Sequence, residues 1–363
     1  MKRLGLKILD IYIIKKFIGT YLFAILLIVG IAVVFDVAEK MDDFVGKGVP
    51  LKIIVFEYYI NFIPYFANLF SSLFTFIAVI FITSKMAYNS EIIAILSSGI
   101  SFKRMLVPYF ISAALIATFS FLLSSFVIPP ANRTRIDFEN NYLRKAIQNT
   151  ERDIHRQVRP GIYVYMQSYN TFSKTGYKFA MERFEDGKLV SKMISDFVKW
   201  DTISQKWTAN AYQIRTYFDG SEELISGETI DTTIFLTPSD FARRDNIVET
   251  MNMFELNDFI EEQKLQGSNI VDLYLIEKYS RVAYPVSTFI LTLIGVSLSS
   301  RKVRGGIGLH IGLGLALSFS FILFMRFTTM FAVGGNLPPL LSVWIPGFVY
   351  AIIALVLYRV APK

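Results

Sequence analysis

Six long apolar runs, three before and three after a polar stretch, restrict this 363-residue chain more than any other feature. A helix needs about 20 apolar residues to cross a bilayer's hydrocarbon core. The runs fall at roughly 16–37, 53–84, 105–128, 282–300, 306–331 and 340–359. The second is long enough to be tilted or to extend past the bilayer, and Pro129-Pro130 closes the third. Only 18% of residues are charged, against about a quarter in a soluble domain. The expectation is a membrane α-helical protein with six transmembrane helices in a 3+3 arrangement. Its parts are an N-terminal membrane half over 1–130, a domain over 131–270, and a C-terminal membrane half over 271–363.

Short loops rich in Lys and Arg stay on the cytoplasmic side. Lys2, Arg3, Lys7, Lys15 and Lys16 open the chain, Lys85, Lys103 and Arg104 flank the second short loop, and Arg301, Lys302 and Arg304 follow span four. With Arg359 and Lys363 these all fall on one side if there are six spans. Asp36, Glu39, Asp42 and Asp43 and the turn Gly334-Gly335-Asn336 fall on the other. Both termini should be cytoplasmic and the central domain periplasmic. The run from Phe17 to Phe35 is long for a signal peptide and lacks a clear cleavage site, so it reads as a retained first span.

The pattern changes between 150 and 250. Segments at 162–166, 177–184, 189–200, 206–217 and 223–236 are rich in β-branched and aromatic residues. Lys174-Thr175-Gly176, Glu185-Asp186-Gly187 and Phe218-Asp219-Gly220 separate them. Such spacing predicts consecutive antiparallel strands in an all-β domain: a sandwich, jelly roll or open barrel. Residues 251–267 read as a short polar helix leading back to the membrane.

Little in the chain points to catalysis. Its two histidines, His155 and His310, are far apart, and it has no cysteine. HExxH, GxSxG and GxxxxGK[ST] are all missing, so ATP has no phosphate loop to bind. No catalytic residue, metal site or cofactor is expected. The net charge of +7 is explained by loop topology rather than by nucleic acid. The most informative loop is the second cytoplasmic one, about 86–99. Ser90 reads as a helix cap with Glu91 in the first turn. Ile92, Ile95 and Leu96 share one face, and Gly99 ends the helix. This amphipathic helix is either an interfacial connector or a coupling helix that docks on a cytoplasmic motor through Glu91.

Several elements, taken in order, carry a family likeness. They are Lys7 to Phe17, Ser90-Glu91-Ile92-Ile93-Ala94 with Ser98-Gly99-Ile100-Ser101 and Arg104, and Ile128-Pro129-Pro130-Ala131-Asn132. Then follow Arg281-Val282-Ala283-Tyr284-Pro285, Gly295-Val296-Ser297-Leu298-Ser299, Arg304-Gly305-Gly306, and Leu337-Pro338-Pro339 with Trp344 and Pro346. Over nearly its whole length the chain resembles the LptF/LptG family of lipopolysaccharide-export permeases, leaning slightly to LptG. The resemblance implies a transport subunit of the bacterial inner membrane rather than an enzyme. It implies a heterodimer with the sibling permease, a separate LptB-like ATPase dimer, β-jellyroll domains and an LptC-like periplasmic bridge. Glu91 matches the family's coupling-helix glutamate. Lipid A phosphates need cations at headgroup depth. Similar basic positions contact lipopolysaccharide in the family, which implies that role for Lys40, Arg133 and Arg135. Lys47, Arg281 and Arg326 are further candidates on position, Arg326 with Glu57 or Asp36 as the alternative partner. The rival reading is a non-transporting scaffold that anchors a β domain.

Overall fold

A computed structural model of the chain describes residues 7–143, 152–218, 220–234, 236–241, 245–268, 270–301 and 306–361. Two compact units emerge. One is Met1–Arg144 with Val248–Phe254 and Asp272–Lys363, and the other is Lys145–Ile247 with Glu255–Val271.

The first unit is helical. Its elements are α1 (Ile8–Gly46), α2 (Leu51–Ile53), α3 (Ile60–Leu69), α4 (Ser71–Tyr88), α5 (Glu91–Ser97), α6 (Phe102–Leu122) and α7 (Ile128–Phe138). After the inserted domain come α10 (Val271–Ser299), α11 (Gly306–Val333) and α12 (Pro339–Val360). Among the described residues, six helical stretches are long and apolar enough to cross a membrane: Ile8–Gly46, Ser71–Tyr88, Phe102–Leu143, Val271–Ser299, Gly308–Val333 and Pro339–Val360. Phe23 and Leu26 stand 67% and 71% exposed on α1. Phe327 and Met330 on α11 and Phe348 and Ile352 on α12 are likewise exposed. Apolar surface of that extent is stable only against lipid or another protein.

Inside the bundle, small residues let helices close. A Cβ on Gly295 would meet Val79 Cγ1 at 2.8 Å, so α10 sits against α4 at that level only without a side chain. Phe17, Val79, Met86, Ile92, Met105 and Tyr109 form one buried cluster. Phe44, Ile54, Tyr58, Tyr59, Phe62 and Phe138 form another, almost wholly aromatic.

Two spans differ from the sequence expectation. The run at 53–84 is not one helix. It passes through a π turn (Ile54–Tyr59) and breaks at Phe70, whose φ of −99° and ψ of 3° leave the helical region. Nor does the proline pair close the third run. A π turn at Leu123–Val127 precedes it, and the prolines occupy the first turn of α7, where a missing N–H costs nothing. A third π turn, Glu139–Leu143, extends that helix.

The second unit is built on β1 (Arg152–Arg159), β2 (Ile162–Asn170), β3 (Thr175–Glu185), β4 (Lys188–Asp201), β5 (Lys206–Phe218) and β6 (Ser221–Thr232). They form one antiparallel sheet in sequential order, with β1 and β6 at its edges. The β domain is therefore an open meander, and its order departs from the double Greek-key winding of a full jelly roll. Short turns explain this, because each strand is returned directly to its predecessor. Asp186 and Gly187, with φ of 51° and 78°, make the kind of two-residue turn that joins hairpin strands. The carboxylate of Asp201 accepts the N–H groups of Ile203 and Ser204 at the next turn. One sheet face is buried, with Val164, Met166, Phe179, Met193, Val198 and Trp207 in its core. Trp207 donates its indole N–H to the Leu236 carbonyl at 2.7 Å. The unit also holds the short α8 (Pro238–Phe241) and most of α9 (Met253–Leu265), the expected polar helix.

Candidate functional site

Two groups of polar side chains lie at opposite ends of α1. The first surrounds Glu91. Ser90 does not cap α5: it holds a left-handed φ of 61°, and its side chain makes no cap bond. That turn sets Glu91 at the first position of α5. Ile92 is buried beside Ile13 and Phe17 of α1, Ile95 and Leu96 pack on the same cluster, and Gly99 ends the segment with φ of 86°. Ile93 is 56% exposed, and Ala94, Ser97 and Ser98 are exposed with it. The helix is thus amphipathic, with one side unpartnered among the described residues.

The Glu91 carboxylate accepts from the Tyr12 hydroxyl at 2.8 Å, from Asn89 at 3.3 Å and from Lys16 at 3.4 Å. Partial burial pushes its pKa up, but these donors outweigh the burial and hold the carboxyl below its ordinary value. Close by, Arg104 at the start of α6 grips the buried Asp10 of α1 with two hydrogen bonds of 2.7 and 2.6 Å. This bidentate pair ties the two helix starts together. Arg304 and Gly305 lie outside the described residues.

The second group contains the basic residues expected to meet lipid. Lys40 contacts Asp36 at 2.5 Å and donates to the Tyr58 hydroxyl, while Tyr59 donates to the other oxygen of Asp36 at 3.1 Å. Lys47 is exposed, donates to the Tyr142 carbonyl and stands 3.9 Å from Asp43. Arg133 is exposed on α7 and donates to the Thr250 carbonyl at 3.2 Å. Arg135 is buried. It reaches Glu139 at 3.0 Å, Asn132 at 3.2 Å and Glu249 at 3.7 Å, and its guanidinium lies 4.7 Å from the Tyr65 ring.

Arg281 is 4% exposed. It donates to Glu277 at 3.0 Å and to the carbonyls of Met251 and Val248 at 2.8 and 2.9 Å. Arg326 is exposed on α11, and among the described residues no carboxylate pairs with it. Asp36 is instead engaged by Lys40 and the two tyrosines. Arg326 remains within electrostatic reach of Tyr65 and Tyr284.

The candidates therefore fall into two kinds. Asn132, Arg133, Arg135 and Arg281 all fasten the segment 248–251, where the chain rejoins the helices through the 3-10 turn Asp245–Thr250. Lys40, Lys47 and Arg326 reach acceptors on their own or neighbouring helices, or none. Sequence reasoning missed the acidic partners Glu139, Glu249 and Glu277. Two left a readable trace, since Glu139 lies four residues after Arg135 and Glu277 four before Arg281. Glu249 left none. Burial, and then repulsion by Glu277, pushes Glu249 up to about 7, against the pull of Arg135. Among the described residues no group of three His, Cys, Asp or Glu is placed to hold a metal ion.

No curated protein matches the chain. The family model described as lipopolysaccharide export system permease LptF/LptG matches residues 11–360 and does not separate the two siblings. Nearly the whole chain is covered, including both groups of side chains, the six apolar helices and the inserted sheet. The chain therefore belongs to the LptF/LptG family of lipopolysaccharide export permeases, multi-pass inner-membrane transport subunits of the Lpt export machinery.

Proposed function

We propose that this permease pairs with its LptF/LptG sibling above an LptB-like ATPase dimer and draws lipopolysaccharide from the outer leaflet of the inner membrane. The lipid then passes to the β domain and on to an LptC-like periplasmic bridge. Both termini are cytoplasmic in this reading, and the sheet is periplasmic. The observation that carries it is α5, a seven-residue helix with Glu91 at its start, its apolar face packed on the bundle and its other face, Ile93, Ala94, Ser97 and Ser98, exposed. So short a helix is not stable alone. One covered face and one open face suit a docking element better than a connector. Basic side chains at the other end of α1 supply the headgroup chemistry. Of these, Lys47, Arg133 and Arg326 are exposed and Lys40 is half-buried, so they are the phosphate contacts. Arg135 and Arg281 hold the segment 248–251 beneath them. The edge strands β1 and β6 leave main-chain groups available to a bridge protein.

The test is mild-detergent purification of the tagged chain from its native membrane, with mass spectrometry of protein and lipid together. Co-recovery of a sibling permease, an ATPase and lipopolysaccharide is expected. With Arg133→Glu and Arg326→Glu combined, the proteins should still assemble while lipopolysaccharide crosslinking falls. Recovery of the intact chain alone, without glycolipid, would favour the scaffold.

A further inference from the structure

The carboxylate assigned to docking already has partners within the chain. Tyr12 and Lys16 stand one turn apart on α1, and the Lys16 ammonium lies 4.1 Å from the Tyr12 ring centroid and hydrogen-bonds its hydroxyl. Both side chains then reach the same oxygen, Oε2 of Glu91, while Asn89 takes Oε1. A carboxylate offers about four acceptor positions, so one remains for a donor from outside, and the Glu91 side chain is 28% exposed toward it. Below this polar contact, Ile92 is 1% exposed and packs in one cluster with Ile13 and Phe17. Ile13 and Phe17 each follow one of the two donors by a single residue. The orientation of α5 cannot come from its own hydrogen bonds, because barely two turns of helix do not hold themselves. It comes from this attachment to α1 and from the left-handed Ser90 before it.

We infer that Tyr12 and Lys16 are positioning residues that fasten the Glu91 end of α5 to the first span, so that force applied to α5 by the ATPase is delivered to α1. The inference rests on the docking role given to α5 above. At its other end the same helix carries Lys40 and is capped by Lys47, 24 and 31 residues beyond Lys16 in sequence. A continuous 39-residue helix joins the two. A helix is stiff along its axis, so displacement at Tyr12 moves the basic residues with it. Glu91 thus has two simultaneous roles, as acceptor for the partner and as the point where α1 is held.

The experiment uses the complete exporter reconstituted in proteoliposomes, with lipopolysaccharide released per ATP hydrolysed as the readout. Tyr12→Phe keeps the ring but removes the donor, and Lys16→Met keeps the stem but removes the charge. Together they should lower the ratio roughly tenfold, as for loss of a hydrogen bond to a charged acceptor. Lys16→Arg in the otherwise native chain should retain most of it. An unchanged ratio in the double variant overturns the inference. So does a ratio that Lys16→Arg lowers as far as Lys16→Met, since a charge-keeping variant must hold Glu91. Glu91→Ala is read separately, by co-purification of the ATPase. If the ATPase still binds, the docking reading fails. If binding is lost while the Tyr12/Lys16 ratio stands unchanged, docking survives and only the attachment is wrong. If the double variant folds poorly, Tyr12→Phe alone, a change of one oxygen, decides by the same ratio.

Discussion

Arg281 directs its guanidinium at one carboxylate and two carbonyls, and Arg135 at two carboxylates and an amide. Each arginine is buried because these acceptors replace water. Sequence reasoning singled out both residues as candidates for lipid contact, since each is a cation next to a span end. It could not see that their acceptors arrive on 248–251, more than a hundred residues after Arg135. The same blindness hid Glu249. Its raised pKa has a consequence with a definite sign. The folded carboxyl binds its proton more tightly than an ordinary glutamate, its pKa pushed from 4.5 up to about 7. Stability from the protonated form is complete below the lower value and is lost as pH rises through the upper one. Beside Glu277, Arg135, Glu139 and Arg281, the segment 245–250 should therefore hold more firmly at pH 6 than at pH 8. The protection of those amides, relative to their intrinsic exchange rate at each pH, should be several-fold lower at pH 8, and Glu249→Gln should flatten the dependence. Equal protection at both pH values in the native chain would contradict the assignment.

At the scale of elements, apolar runs identified four of the six spans well, because length and hydrophobicity are local quantities. The second run misled because its composition is uniform across Phe70, where the helix breaks. The diproline misled for the opposite reason. Proline normally ends a helix, yet here a π turn at Leu123–Val127 restarts the helix with the prolines in its first turn. Ser90 was expected to cap by its chemistry, and its backbone instead took a conformation usually left to glycine or asparagine. Helix contacts depend on residues that are absent as much as present. Gly295 is one, with Val79 Cγ1 already at the limit and stiff about χ1. Gly295→Val should cost about 1–3 kcal/mol by overpacking, seen as a lower melting temperature in detergent. Gly308, with nothing within 4 Å of a built Cβ, should accept the same change with little effect.

At the scale of the molecule, the 3+3 order and the inserted antiparallel sheet were legible, since both follow from where hydrophobicity stops and turn residues recur. The first strand was not. β1 reads Arg-Asp-Ile-His-Arg-Gln-Val-Arg, and only Ile154 in it is fully buried. A strand with one inward apolar side chain carries almost no alternation. Orientation across the bilayer is open to a direct test because the chain has no cysteine. A single cysteine at Ile203, 93% exposed in the β4–β5 turn, should react with an impermeant maleimide added outside spheroplasts. One at Ser97 on α5 should react only after permeabilisation. The reverse pattern would invert the topology.

The last strand has a bearing on what this protein can safely touch. β6 lies at the sheet edge and is exposed along almost its whole length. A bare edge of twelve residues invites polymerisation. Yet β6 carries Glu222, Glu223, Glu228 and Asp231 and no basic residue. Two copies laid side by side along this strand would set like charges against each other. The edge is thus guarded against its own kind, and the same carboxylates that oppose a second copy would favour a strand of opposite charge.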